Sequence, residues 1–405
     1  IIKTEGMGYY QTAYPLYVLL LTLSTAGFPV AIAKLVSEKQ ALGDYRGAHK
    51  IFKVAFFGLF LTGLITSSFV FFNARYIVKA LGNEKAYYSL IALVPALFFV
   101  PIMAAFRGFF QGRQVMTPTA LSQVVEQFFR VTGGLLMTYL LLGRGIPVAA
   151  GGASFGGSIG AMAGAGIIIL IYLSKRKEIK EEMEKSLTHK EESSGKIIKD
   201  LLSIAIPITI GAAIVPIMNT IDTLLVFNRL QSIGFSAARA NELYGQLTGL
   251  AQTLINLPQV FSTALAISLV PAISEAHVKK RFNEIRSISF SGIRVTLLIG
   301  LPCAFGLFVL ARPIINLLYF KNTAESITST GEILSILSFS VIFLTLVQSL
   351  TAILQGLGKP LISVRNLFIG AVAKVILTYV LTGITSINIK GAAISTLIAY
   401  LIAAV

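Results

Sequence analysis

The length of the apolar blocks restricts this chain more than any other feature. Thr12–Val36, Ile51–Phe72 and Leu201–Val226 each hold a single charged residue. Roughly 20 apolar residues are what a helix needs to cross ~30 Å of hydrocarbon. Eleven spans can be read, at 12–36, 51–73, 86–106, 118–142, 149–173, 201–227, 246–273, 288–311, 327–354, 361–383 and 389–405. Charged residues make up only 13% of the chain, against about 25% in soluble domains. Mean hydropathy is +0.78. The expected fold class is an all-α polytopic membrane protein.

Both ends read as cut, because the chain opens on Ile1 rather than Met and closes inside the apolar run LIAYLIAAV. No signal peptide is recognisable, since no charged segment and short apolar core precede a cleavage site. Cys303 stands alone within a span, which excludes disulfides and cysteine metal clusters. The chain holds 34 Lys and Arg against 18 Asp and Glu. In a soluble protein that excess would suggest nucleic acid, but here the cations sort by loop, and no nucleic-acid partner is expected. About two thirds of them fall in loops after alternate spans, which the positive-inside rule places in the cytoplasm. The densest stretch, 175–200, mixes both signs and reads as a solvated cytoplasmic helix or linker.

That stretch divides the chain into an N-terminal lobe (1–174) and a C-terminal lobe (201–405), and the lobes resemble each other. At a constant offset of 237 residues, 8–38 matches 245–275: Gly8 falls on Gly245, Leu20 on Leu257, and Ser37-Glu38 on Ser274-Glu275. Later in each half comes Gln-Gly and then Pro, at 109–118 and 353–360, followed by Thr-Tyr at 138–139 and 378–379. An even number of spans separates the copies, so both run the same way through the membrane. Parallel repeats about an axis along the membrane normal are a known transporter plan, with the substrate path between the lobes.

Three stretches carry a specific resemblance: GYYQTAYPLYVLLLTLSTAGFPVAIAKLVSE, RGFFQGRQVMTPTALSQVVEQFFRV and LYGQLTGLAQTLINLPQVFSTALAISLVPAISEA. They resemble the stage V sporulation protein B group. That group lies in the polysaccharide-transporter branch of the MOP exporter superfamily, close to the MurJ-type lipid II flippases. The resemblance covers essentially the whole chain. It implies two pseudo-symmetric helical lobes of about fourteen spans, so the first span and the last two or three would be missing here. It also implies a bacterial cytoplasmic-membrane exporter of undecaprenyl-pyrophosphate-linked saccharide: lipid II, or a related cell-wall, spore-cortex or polysaccharide precursor. No enzymatic activity or cofactor is expected. The expected partners are the lipid-linked saccharide, membrane lipids and a coupling ion, H⁺ or Na⁺, with the chain acting as a monomer. The alternative within the same superfamily is a MATE-type cation-coupled multidrug antiporter.

No catalytic constellation is apparent. His49, His189 and His277 all fall in expected cytoplasmic loops, and no Walker loop is present. The informative residues are ionisable groups within spans, which are costly in lipid and normally face a bundle interior or a wet cavity. Glu126 and Arg130 lie mid-span, four residues apart, and can pair on one helix face. They form either a structural salt bridge or a cavity-lining pair. Lys374 lies mid-span near the equivalent of Arg130, whereas Arg294 is close enough to a helix end to snorkel. Asp222 follows Pro216 and Asn219, and it reads as a cavity or an interface residue. The candidate substrate-binding residues are Glu126, Arg130, Lys374, Asp222, Arg294 and Asn219, with no metal site. Three intramembrane cations against two carboxylates suit an anionic headgroup such as a pyrophosphate.

Three further features read as structural or interfacial. Gly152, Gly156, Gly160 and Gly164 recur at four-residue spacing, which lets helices approach closely. Pro15, Pro29, Pro207, Pro216, Pro258 and Pro302 would kink their spans. Tyr9, Tyr10, Tyr14 and Tyr17 read as an outer interfacial belt.

Overall fold

The computed structural model describes residues 2–186 and 192–405. His189 and part of the charged stretch lie outside them. Among the described residues every regular element is helical, and each of the eleven expected spans carries a helix. In chain order the helices are α1 (Lys3–Thr25), α2 (Phe28–Ala41), α3 (Tyr45–Ala80), α4 (Tyr87–Gly112), α5 (Thr117–Leu141) and α6 (Ile146–Ser174). After the short α7 (Arg176–Glu184) come α8 (Ser194–Ser232), α9 (Ala237–Tyr244), α10 (Gln252–Val278) and α11 (Phe282–Val309). The series closes with α12 (Ala311–Leu318), α13 (Ala324–Ser338), α14 (Ser340–Gly356), α15 (Pro360–Thr382) and α16 (Ile389–Ala404).

Eight of these helices, some of them paired end to end, are long and apolar enough to cross a membrane; the bent α8 makes a ninth. α16 is shorter, and α5 falls outside the group. Its own Gln123, Glu126, Gln127 and Arg130 dilute its hydropathy. Large apolar side chains stand outward, among them Phe72 at 80% exposure and Leu361 at 79%. Water would penalise such faces and lipid does not.

The helix ends follow local chemistry. Asp44 Oδ1 accepts from Gly47 N at 2.8 Å and caps α3, while Ser236 and Thr323 cap α9 and α13. Pro29 does not kink a span as expected. It opens α2 after a break at Ala26–Gly27, where its missing N–H costs nothing. α8 bends by 46° between Ile210 and Val215, with Pro207 and Pro216 on either side.

The chain forms two compact units: Thr12–Thr220, and Lys3–Gln11 with Ile221–Val405. The expected break at 175–200 thus moves into α8, because that helix runs unbroken past it. Ile197, Leu201 and Ala205 join the first unit's core, whereas Val226, Phe227 and Leu230 join the second's. An aromatic knot of Phe52, Phe106, Phe109 and Tyr172 centres the first core. His49 belongs to this knot. It lies within α3, buried and stacked on Tyr172, rather than in a loop. The interfacial tyrosines need a similar correction, since Tyr9 and Tyr17 are 1% and 2% exposed. In the second unit Gly8 lets α1 approach Asn241 closely enough to cover Tyr9, whose hydroxyl donates to Glu5 Oε1 at 2.8 Å.

Candidate functional site

The first cluster depends on how closely α5 and α6 approach. A Cβ on Gly160 would lie 2.5 Å from the Glu126 carbonyl oxygen and 2.9 Å from Arg130 Cβ. One on Gly164 would lie 3.0 Å from Glu126 Cβ, and one on Gly152 would lie 2.8 Å from the Met137 backbone. The four-residue glycine spacing is therefore a packing seam, and it holds the backbone of Glu126 and Arg130 against α6.

From that backbone the Glu126 carboxylate reaches two guanidiniums. Arg130 Nη2 donates to Oε1 at 2.6 Å, so the i,i+4 pair forms. Arg107 Nη2, from α4, donates to Oε2 at 3.0 Å. Arg107 Nε also donates to Ser122 Oγ at 2.9 Å, and Ser122 in turn donates to the Thr119 carbonyl. The carboxylate side chain is 8% exposed and Arg107 15%, while Arg130 keeps 27%. The cluster carries two positive charges and one negative, with the excess cation at its more accessible end. Arg107 lies one residue beyond the expected span 86–106. Its apolar flanks on both sides, in MAAFRGFF, were the available signal.

The second unit carries a matching arrangement. Lys374 Nζ on α15 meets Asp222 Oδ2 on α8 at 3.1 Å, with both side chains largely covered. Thr378 Oγ1 donates to Asp222 Oδ1 at 3.3 Å and lies 2.6 Å from Ser395 Oγ on α16. Small residues again allow the approach: a Cβ on Gly370 would lie 2.6 Å from the Ala399 carbonyl oxygen. Sequence reasoning singled out Lys374 and Asp222 separately, met Thr378 only as part of the repeated Thr-Tyr pair, and missed Ser395, which has no local signal.

The remaining candidates are more exposed than the members of either cluster. Asn219 is exposed on α8, and Arg294 is exposed midway along α11. Burying an ion pair is expensive unless its geometry is good and its remaining lone pairs are bonded. Both clusters meet that condition. Chemically, each can present a fixed cation to an anionic group.

The model of the polysaccharide biosynthesis protein family matches residues 1–277, and the MatE model matches 244–380. Stage V sporulation protein B of Bacillus subtilis is 30% identical over 398 residues, spanning 97% of this chain and 74% of that protein. The lipid II flippase MurJ of Bacillus subtilis is 30% identical over 414 residues, spanning 99% and 75%. Among solved structures, a multidrug resistance MATE family transporter of the MOP superfamily, in an inward-facing conformation, gives a TM-score of 0.82. Its identity is 15%, over 99% of this chain and 88% of that one. A MOP superfamily transporter from Pyrococcus furiosus, described as having a binding pocket of reverse polarity, gives 0.64 at 16% identity, over 100% and 86%. At such identities the likeness concerns the two-lobed fold alone.

Proposed function

Because the chain belongs to the family of polysaccharide biosynthesis proteins, we propose that it flips an undecaprenyl-pyrophosphate-linked saccharide across a bacterial cytoplasmic membrane. The cargo is lipid II or a closely related precursor, and it moves by alternating access with no covalent step. The headgroup crosses through the protein while the polyprenyl tail stays in lipid. The observation that carries this reading is the near-complete match to a flippase and to a sporulation protein. The charge of the first cluster agrees with it. Two guanidiniums share the single carboxylate of Glu126, so the cluster keeps a net positive charge toward its more accessible end at Arg130, and a guanidinium suits a pyrophosphate oxygen as a bidentate donor.

A cation-coupled antiporter of the MATE type is the second reading, favoured by the MatE match over 244–380. It would need Glu126 or Asp222 to bind a proton, sodium or an organic cation. Both carboxylates already hold internal cations, at 2.6 and 3.0 Å for Glu126 and 3.1 Å for Asp222. Any coupling ion would have to displace one of them. The test is translocation of a pyrophosphate-linked saccharide in proteoliposomes, beside efflux of an organic cation. Arg130→Ala should abolish saccharide movement in protein that still folds, and Arg130→Lys should restore part of it, since a point charge lacks the bidentate fork. Organic-cation efflux without saccharide movement would select the antiporter.

A further inference from the structure

One face of α11 takes no part in the proposed transport, and we propose that it binds an anionic phospholipid of the cytoplasmic leaflet. Arg286, Phe290 and Arg294 recur every four residues and share one stripe of the helix. Beyond Arg294 the stripe becomes wholly apolar through Leu297, Leu298, Leu301 and Pro302. These side chains, with Phe290 and Arg294, line a groove of about 410 Å³. Phe290 and Leu298 are 60% and 64% exposed, so the groove is open. The Arg286 guanidinium sits 5.6 Å from the Phe290 ring centre and extends the cationic end.

The other two cations expected within spans have built-in counter-charges, Arg130 with Glu126 and Lys374 with Asp222. Among the described residues no carboxylate makes an ion pair with Arg294. From Val295 to Val309 the helix carries no charge at all. An exposed guanidinium at that depth is costly in hydrocarbon and is relieved by drawing a phosphate and its water toward it. A diacyl phosphodiester complements the whole stripe, with its phosphate against Arg294 and Arg286 and an acyl chain along Leu297 to Pro302. At the same end Lys279 and Arg281 pair with Glu275 and Glu284, and Lys280 leaves a net positive charge that adds attraction for an anionic leaflet.

The purified chain would be reconstituted in vesicles of phosphatidylglycerol and phosphatidylcholine in equal amounts, extracted gently, and its retained lipid counted by native mass spectrometry. Phosphatidylglycerol should be retained preferentially. Arg294→Gln should lower that preference about fivefold, the effect of one basic residue at a membrane surface. Leu298→Trp, which fills the groove and leaves the charge, should lower retention of both lipids and keeps the test valid if Arg294→Gln misfolds. Equal retention of the two lipids, or no change in either variant, would overturn the proposal. So would displacement of phosphatidylglycerol by a polyprenyl pyrophosphate at equimolar amounts, which would make this face part of the cargo route.

Discussion

At Glu126 one carboxylate answers two guanidiniums, and the consequences of removing each partner differ. Glu126→Gln leaves Arg107 and Arg130 facing each other without a counter-charge. Breaking a covered ion pair from one side typically costs about 3–5 kcal/mol, and thermal unfolding in detergent should show a loss near the lower end because Arg130 reaches solvent. Arg107→Gln should cost less, about 1.5–3 kcal/mol, since Arg130 still neutralises the carboxylate. A loss as large as that of Glu126→Gln would make Arg107 the principal partner. In the second unit Lys374→Met should destabilise strongly by stranding Asp222, and Lys374→Met with Asp222→Asn should recover most of the loss. Failure of the double variant to recover would show that Thr378 and Ser395 depend on the charge itself.

Among the elements, α6 shows most directly how small residues set the position of charged ones. Gly160→Ala puts a methyl 2.5 Å from the Glu126 carbonyl oxygen, which is backbone and cannot rotate away. The helices must separate, at an overpacking cost of about 1–3 kcal/mol. Gly166→Ala, on the same helix with nothing within 4 Å, is the control and should be neutral or stabilising. Equal melting temperatures for the two variants would refute the seam. α7 shows a second kind of dependence. Expected as a solvated helix or linker, it is a helix that buries Ile179, and Arg113 Nη2 holds both oxygens of Glu182 at 2.9 and 2.7 Å. Glu182→Gln should accordingly speed amide exchange across Arg176–Glu184 without affecting α15 or α16.

For the whole molecule, the sequence repeat and the loop charges make separate claims. The offset of 237 reappears in space. A Cβ on Gly245 would lie 2.8 Å from Gly8 N, and Gln11 Nε2 donates to the Thr248 carbonyl at 3.4 Å, so equivalent residues of the two copies meet in the second unit. The copies are not identical there. α1 is regular, whereas its counterpart contains a π-helical stretch at Gly245–Ala251. Topology is tested independently by cysteine substitution: a thiol at Lys180 should resist an impermeant reagent added outside intact cells and react after permeabilisation. Labelling from outside would reverse the orientation read from the loops.

The sequence alone determined where the helices lie, the glycine seam and the Glu126–Arg130 pair. Hydropathy adds up along the chain, and helical neighbours at four residues are fixed by the helix itself. It was also sufficient for the two-lobed family fold, because the repeat is written in register. Tertiary structure decided the rest. Only packing brought Arg107 to Glu126 from 19 residues away, and Lys374 to Asp222 from another helix. It buried His49 and Tyr9, which composition places as readily at an interface, and it moved the boundary between units into the unbroken α8. Each of these depends on which faces of separate helices meet, and a hydropathy pattern specifies how much of a helix is covered without naming the residue that covers it.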